Sequence, residues 1–107
     1  MTDPGASVGF RHGVASKDPR PRRVVISTRV SGVRGQDAVS VRWRVFEEDG
    51  GRPAGHGRSL ARPDADWTVR VDVGGLQPDT AYTFDFEIGG ERSSTGRTRT
   101  LPDGDPE

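Results

Sequence analysis

Cysteine is absent from this sequence of 107 residues. Disulfide bonds, thiolate metal sites and a cysteine nucleophile are therefore excluded. Asparagine is absent as well, so the sequence contains no N-glycosylation motif. Net charge is also lacking, because 16 basic residues, of which only Lys17 is a lysine, balance 16 carboxylates. Without a net charge to attract polyanions or anionic lipid, we expect neither a nucleic-acid partner nor a membrane partner.

Long hydrophobic runs are missing too. The longest covers residues 24–26, far short of the roughly 20 apolar residues that a membrane-spanning helix needs. Residues 1–5 lack the basic and apolar regions of a signal peptide, so we expect none here. The chain has the length of one domain, and we expect it to be a monomer.

Leucine is scarce and valine abundant, with three leucines and 12 valines. Because branching at Cβ suits a pleated sheet better than a helix, this composition favours strands. Four stretches alternate with a period of two, which is typical of half-buried antiparallel strands. The inward-facing members are Val24, Ile26, Thr28 and Val30; Val39, Val41, Trp43 and Val45; Trp67, Val69, Val71 and Val73; Tyr82, Phe84, Phe86 and Ile88. We expect a core that includes Trp43, Val69, Val71, Tyr82, Phe84 and Phe86.

Turn residues separate these stretches. Asp49-Gly50 suits a hairpin, residues 89–90 suit another, and a last strand is predicted near residues 93–100. Short strands with turns about every 8–12 residues predict an all-β fold. We expect a two-sheet antiparallel β-sandwich of about seven strands, immunoglobulin-like or fibronectin type III-like. Residues 10–102 are assigned to this domain, and residues 1–9 and 103–107 to flexible tails.

Residues 76–82 read Leu-Gln-Pro-Asp-Thr-Ala-Tyr. Leu76, Pro78, Thr80 and Tyr82 have the spacing L-x-P-x-T-x-Y, which resembles the fibronectin type III approach to its sixth strand. We expect Leu76 to plug the end of the sandwich and Pro78 to preset the backbone of a corner. The Tyr82 hydroxyl is then expected to turn back to an upstream backbone group, as in a tyrosine corner.

The opening residues Phe10-Arg11-His12-Gly13-Val14-Ala15-Ser16-Lys17-Asp18-Pro19 closely resemble the F-x-x-G-V-A-S-G-D-P signature of PhoD-type alkaline phosphatases. Residues 24–30 are similar to the V-V-L-W-T-R-V strand of that family, and Trp43, the corner and residues 96–102 match it in the same order. The resemblance covers the N-terminal, immunoglobulin-like domain of those enzymes. It implies a metal-dependent phosphomonoesterase or phosphodiesterase as parent, with a metallophosphoesterase domain C-terminal to this one.

The same resemblance implies that the parent is exported, typically by the twin-arginine route, to the periplasm or the cell exterior. Residues 103–107 are then the linker to the catalytic domain. Two positions depart from the family pattern, because Lys17 stands in place of a glycine and Ser27 in place of a tryptophan. If the glycine serves a positive φ, lysine there implies strain or an altered turn.

Residues with catalytic chemistry are few and scattered. The two histidines, His12 and His56, lack the short spacing of a metal site and are interpreted as exposed loop residues. Ser16, His12 and Asp18 can be written as a nucleophilic set, but nothing supplies an oxyanion hole. The glycines of residues 50–57 open no helix and are interpreted as hairpin glycines, not as a phosphate loop. No residue is therefore assigned to catalysis, to a metal or to a cofactor.

Contact with another domain or partner is expected at Ser27, Arg29 and Phe46. Period two places Ser27 and Arg29 on the face away from the core, because an unpaired buried arginine would be costly. Charges on three neighbouring strands are expected to form columns on an outer face: Arg42, Arg44, Asp85, Glu87, Arg97 and Arg99. We interpret these columns as a solvated face of cross-strand pairs, with a docking face as the alternative.

The sequence therefore predicts a non-catalytic β-sandwich module that packs against or positions the catalytic domain of a secreted PhoD-type metallophosphatase. Hydrolase activity belongs, on this interpretation, to the parent and not to these residues. The alternative is a stand-alone fibronectin-like module that binds protein or carbohydrate. Such a module needs an exposed aromatic platform, for which Phe10, Phe46 and Trp67 are the candidates.

Overall fold

The computed structural model describes residues 9–10, 13–33 and 38–103. Within these ranges the chain forms eight strands and a 3₁₀ turn at Pro63–Ala65. The strands are β1 (Val14–Lys17), β2 (Val24–Arg29), β3 (Val39–Glu47), β4 (Pro53–Ala61), β5 (Thr68–Val73), β6 (Ala81–Ile88), β7 (Glu91–Arg92) and β8 (Gly96–Arg99). No helix in these ranges has the length and apolar character that crossing a membrane requires.

The strands form two antiparallel sheets with the core between them. The smaller sheet has the order β1-β2-β5, and the larger begins β4-β3-β6. Both β7 and β8 pair along the remaining edge of β6. The expected all-β sandwich is confirmed, and its last strand is divided into two short pieces.

Ser93 causes that division. The Phe86 N–H donates to Ser93 Oγ at 2.9 Å, and the Ser93 N–H donates to the Phe86 carbonyl at 2.8 Å. A side-chain oxygen thus occupies the position that a backbone carbonyl takes in a regular ladder. The ladder therefore breaks at Ser93 and resumes at Gly96.

The core follows the expected period of two. Four of the expected core residues are no more than 1% exposed, namely Val69, Tyr82, Phe84 and Phe86. Trp43 and Val71 also pack against the core but are only partly buried. Val71 lies on an edge strand, and Trp43 lies beside the glycine-rich edge strand β4.

Glycines on the edge strands make room for aromatic rings. A Cβ at Gly57 would lie 2.7 Å from Cζ2 of Trp43, so the indole fills the space of the missing side chain. A Cβ at Gly96 would overlap the ring of Phe84, which is 1% exposed. Interiors packed to crystal density have no room for such an overlap.

The expected tyrosine corner is present. The Tyr82 hydroxyl accepts a hydrogen bond from the Gln77 N–H at 2.8 Å. Leu76 closes the end of the sandwich and is 2% exposed. Thr80 Oγ1 donates to the Pro78 carbonyl at 2.8 Å, a hydrogen bond between two residues of the corner.

Parts of the expected tails belong to the fold. Residues 1–8 and 104–107 lie outside the described residues. Gly9, assigned above to the N-terminal tail, exchanges two backbone hydrogen bonds with Ser31, at 3.0 and 2.7 Å. Asp103, assigned to the C-terminal tail, forms a salt bridge of 2.9 Å with Arg22. Both residues are therefore held by the sandwich.

Replacement of Gly96 by alanine is expected to destabilise the domain. Because the added methyl group meets the buried ring of Phe84, Gly96→Ala should cost about 1–3 kcal/mol of unfolding free energy. The matched control is Gly90→Ala, since a Cβ at Gly90 meets no atom within 4 Å, and its effect should stay within about 0.5 kcal/mol. Urea denaturation measures both, and equal effects of the two variants would contradict the packing described.

Candidate functional site

Two ion pairs cross from β3 to β6 on the outer face of the larger sheet. The register places Arg44 opposite Asp85 and Arg42 opposite Glu87. Arg44 Nε and Nη2 donate to the two oxygens of Asp85 at 3.0 and 2.8 Å. Arg42 Nη1 lies 3.8 Å from Glu87 Oε1. The Arg44–Asp85 pair is tight and partly buried, with side chains 33% and 9% exposed, whereas the second pair is looser.

Arg44 is held in its charged form by this arrangement. The hydrogen bond to Asp85 raises the pKa of Arg44 above its ordinary value, although burial acts in the opposite direction. The charges of Asp85 and Glu87 raise this pKa further. The guanidinium carbon also lies 5.1 Å from the centre of the Phe46 ring, within cation–π range. Arg44 therefore covers part of Phe46 on the same face.

Arg97 and Arg99 do not continue these columns, and the expectation that they do is wrong. The register of β8 places Arg97 opposite Thr83 and Arg99 opposite Ala81. Their partners lie elsewhere: Glu48 for Arg97, at 3.7 Å, and Asp79 for Arg99, at 3.0 Å. The reason is the break in the last strand, which places β8 beside the first half of β6.

Arg92 occupies the position next to the carboxylates of β6 at which Arg97 and Arg99 were expected. It lies in β7, directly opposite Glu87, so that Glu87 stands between Arg92 and Arg42. A signal for this register was present in the sequence. Residues 89–90 form a two-residue hairpin, which pairs Ile88 with Glu91 and then Glu87 with Arg92.

Ser27 lies on the outer face of the smaller sheet, in its central strand. Its neighbours in sequence, Ile26 and Thr28, are 0% and 5% exposed on the core side. Across the sheet it stands between Ala15 on β1 and Arg70 on β5. A shallow cavity of about 210 Å³ borders Ser27 and Ala15. The depression therefore lies beside the position at which the family pattern has a tryptophan.

Arg29 and Phe46 are held differently from Ser27. Arg29 Nη2 donates to Asp66 Oδ1 at 3.0 Å, and its Nε donates to the Asp66 carbonyl at 3.2 Å. Phe46 lies on β3, in the other sheet. The structure brings Ser27 and Arg29 to one face and places Phe46 on the opposite side of the sandwich.

Thr100 anchors the end of the domain, and sequence reasoning missed it. The side chain is 2% exposed. Its Oγ1 donates to the Gln77 carbonyl at 2.6 Å and accepts from the Thr80 N–H at 3.0 Å. Residues 97–100 alternate arginine and threonine, so no local signal separates this buried threonine from Thr98.

The nucleophilic set considered above is not assembled by the described residues. His12 lies outside them. Ser16 lies in β1, and Asp18 follows that strand. His56 is exposed on β4, opposite Arg44. Over residues 9–10, 13–33 and 38–103, no group of three or more His, Cys, Asp or Glu side chains is arranged to hold a metal ion.

Lys17 does not carry the positive φ that a glycine would provide. It is the last residue of β1 and pairs with Val25. The left-handed conformation lies one residue later, at Asp18, with φ of 53°. Aspartate is among the residues that adopt this conformation most readily. The turn therefore accommodates lysine without strain at position 17.

Comparison with known protein families identifies a match over most of the chain. The model of the family described as "PhoD-like phosphatase, N-terminal domain" matches residues 2–102. Alkaline phosphatase D of Bacillus subtilis (strain 168) is 36% identical over 104 residues, which cover 91% of this chain and 18% of that protein. The chain thus spans about a fifth of the length of this relative.

Solved structures give the same result. The structure of PhoD matches with a TM-score of 0.84 and 33% identity, over 96% of this chain and 21% of that chain. The fibronectin type III domain of human contactin 1 matches with a TM-score of 0.58 and 15% identity, over 100% of this chain and 91% of that chain. At that identity the second likeness bears on the fold alone, and it supports the fibronectin type III-like architecture.

The Arg44–Asp85 pair is expected to contribute measurably to stability. Asp85→Asn removes the charge from a side chain that is 9% exposed. The variant should lose about 1–3 kcal/mol of unfolding free energy, because hydrogen bonds to charged groups contribute more than those between neutral groups. The control is Asp79→Asn, whose pair with Arg99 is 57–61% exposed and should contribute less than about 1 kcal/mol. Asparagine also tolerates the φ of 50° at residue 79. Thermal unfolding distinguishes the variants, and a larger loss in Asp79→Asn would overturn this ranking.

Proposed function

This chain belongs to the family of PhoD-like phosphatase N-terminal domains, and from that premise we propose that it is a non-catalytic module. Its role is to pack against and position a metallophosphoesterase domain that follows it in a longer parent protein. Hydrolysis of phosphate esters belongs to that following domain. The parent is exported, as the family resemblance implies.

One observation carries the proposal. The match to the N-terminal family takes up residues 2–102, while the matched proteins are about five times longer than this chain. The described residues bring together no metal-holding cluster that would support phosphate-ester hydrolysis here. The chemistry of such a parent therefore needs residues outside this domain.

The end of the domain supports a positioning role. The Leu101 N–H donates to the Arg20 carbonyl at 3.1 Å, and the Leu101 carbonyl accepts from the Asp79 N–H at 2.9 Å. Asp103 is tied to Arg22 at 2.9 Å. Backbone bonded on both sides has little freedom to swing. A domain that continues from this point is held in a defined direction, beside the turn between β1 and β2.

The outer face of the smaller sheet is the proposed docking surface. The β1–β2 turn leads directly into this sheet, where the row Lys17, Val25 and Asp72 lies nearest to the turn. Ser27 lies two residues further along β2, beside the shallow cavity. A depression bordered by the small side chains of Ser27 and Ala15 accepts a protruding side chain of the neighbouring domain. Phe46, on the opposite sheet, has no part in this surface.

A stand-alone binding module is not favoured by the aromatic side chains. Phe10 packs on the core, with its ring centre 6.4 Å from that of Phe86. Trp67 also packs against the core. Phe46 is partly covered by Arg44. The three candidates therefore form no shared exposed platform.

The purified chain is expected to lack phosphatase activity. It should not hydrolyse p-nitrophenyl phosphate or bis-p-nitrophenyl phosphate with added Ca²⁺, Fe³⁺, Mn²⁺ or Zn²⁺, because no cluster among the described residues activates a water molecule. The release of p-nitrophenol measures this directly. Turnover well above the buffer rate that disappears in His12→Ala would show that the chain is itself an enzyme.

Docking over Ser27 is tested in the full-length parent with Ser27→Arg and its matched control Ser40→Arg. Ser27 lies on the outer face of β2, and Ser40 is exposed on β3 of the other sheet. An arginine between packed domains is expected to separate one thermal transition into two, because the domains no longer stabilise each other. Differential scanning calorimetry should show two separate thermal transitions only for Ser27→Arg. Separation in Ser40→Arg alone, or in neither variant, would contradict the assigned surface.

A further inference from the structure

A second surface feature lies on the other sheet, away from Ser27. A groove of about 410 Å³ runs between the outward side chains of β3 and β4. Its walls are Arg42, Arg44, His56, Arg58 and Glu87, and its floor is formed at Trp43 and Gly57. Four of the five wall residues are arginine or histidine. We refer to this feature as the β3–β4 groove.

Two arginines face each other directly in the β3–β4 groove. Arg42 on β3 is paired in register with Arg58 on β4. Like charges at opposite positions of antiparallel strands are destabilising. Arg42 has a distant partner in Glu87, at 3.8 Å. Arg58 forms no ion pair or side-chain hydrogen bond with any residue of the described ranges.

The positive charge of the groove is only partly balanced by carboxylates. Arg44 is neutralised by Asp85 at 2.8 Å, whereas Glu87 is 3.8 Å from Arg42 and lies in register between Arg42 and Arg92. The chain as a whole has zero net charge. The opposition of Arg42 and Arg58 without a carboxylate between them therefore makes this surface complementary to carboxylates.

We propose that the β3–β4 groove binds an acidic segment of a partner protein, whose carboxylates pair with Arg58 and Arg42. The planar guanidinium fork matches a carboxylate through two parallel hydrogen bonds. An incoming carboxylate also removes the repulsion between the two arginines. Because β4 is the edge strand of its sheet, an extended segment reaches the groove from the side.

A polypeptide suits this surface better than a uniform polyphosphate does. Glu87 and Asp85 lie in the same face as the arginines. Evenly spaced phosphates would meet these carboxylates, at a cost in repulsion. A polypeptide places its carboxylates opposite the arginines and neutral or basic residues opposite the acids. The surface is independent of the proposed docking over Ser27, because the two lie on different sheets.

The proposal is tested with a fluorescein-labelled peptide of alternating glutamate and glycine, three of each, and the 107-residue chain, by fluorescence anisotropy at low ionic strength. The double variant Arg42→Gln/Arg58→Gln should weaken binding by about fivefold or more, since two charge-assisted contacts are lost. The matched control is Arg62→Gln/Arg70→Gln, which removes the same charge from exposed positions outside the groove. The control should change affinity by less than about twofold.

Three results would overturn the proposal. One is the absence of measurable binding to the unmodified chain. Another is equal weakening in both double variants, which would show non-specific attraction only. The third is tighter binding of a labelled oligothymidylate of equal charge, with the same dependence on Arg42 and Arg58, which would assign the groove to phosphates.

A further variant separates binding from folding. Arg58→Glu places a carboxylate opposite Arg42, so it should raise the midpoint of thermal unfolding while abolishing binding of the glutamate–glycine peptide. A folded and more stable protein that no longer binds supports the proposal. A lower midpoint, or retained binding, would contradict the opposition of Arg42 and Arg58 on which the proposal depends.

Discussion

The burial of Tyr82, Phe84 and Phe86 along one face of β6 is the constraint on which the remaining structure depends. All three are no more than 1% exposed. A slip of one residue would turn these rings to solvent and bring Asp85 into the core, because side chains alternate strictly along a strand. Since β6 pairs with β3 on one side and with β7 and β8 on the other, its register determines the arrangement of the larger sheet.

The neighbouring strands are adapted to these large inward side chains. Gly96 leaves room for the ring of Phe84, and Gly57 leaves room for the indole of Trp43. Ser93 replaces a backbone acceptor for Phe86 and so breaks the last strand. Gly57 of β4 and Gly96 of β8 are therefore needed for close packing against aromatic rings. Gly57 does not act as a hairpin glycine, as the sequence first indicated. The Arg44–Asp85 pair is the outward counterpart of the same register.

The two outer faces differ in physical character, which is why we assign them different roles. The smaller sheet has a depression bordered by Ser27 and Ala15 and lies near the end of the domain, where Leu101 and Asp103 are bonded to the β1–β2 turn. The larger sheet presents two arginines, Arg42 and Arg58, directly opposite each other. Shape complementarity suits a permanent contact with a neighbouring domain, whereas exposed charge suits a reversible contact that depends on ionic strength.

The alternation of apolar residues and the 76–82 corner by themselves determined the all-β class, the inward face of each main strand and the tyrosine corner, because period two and a tight turn are local properties. Tertiary structure alone decided the partners of Arg97 and Arg99, the partial exposure of Trp43, the burial of Thr100 and the placement of Phe46 opposite Ser27. These depend on the register and order of strands distant in sequence, where one break at Ser93 redirects every cross-strand pair that follows it.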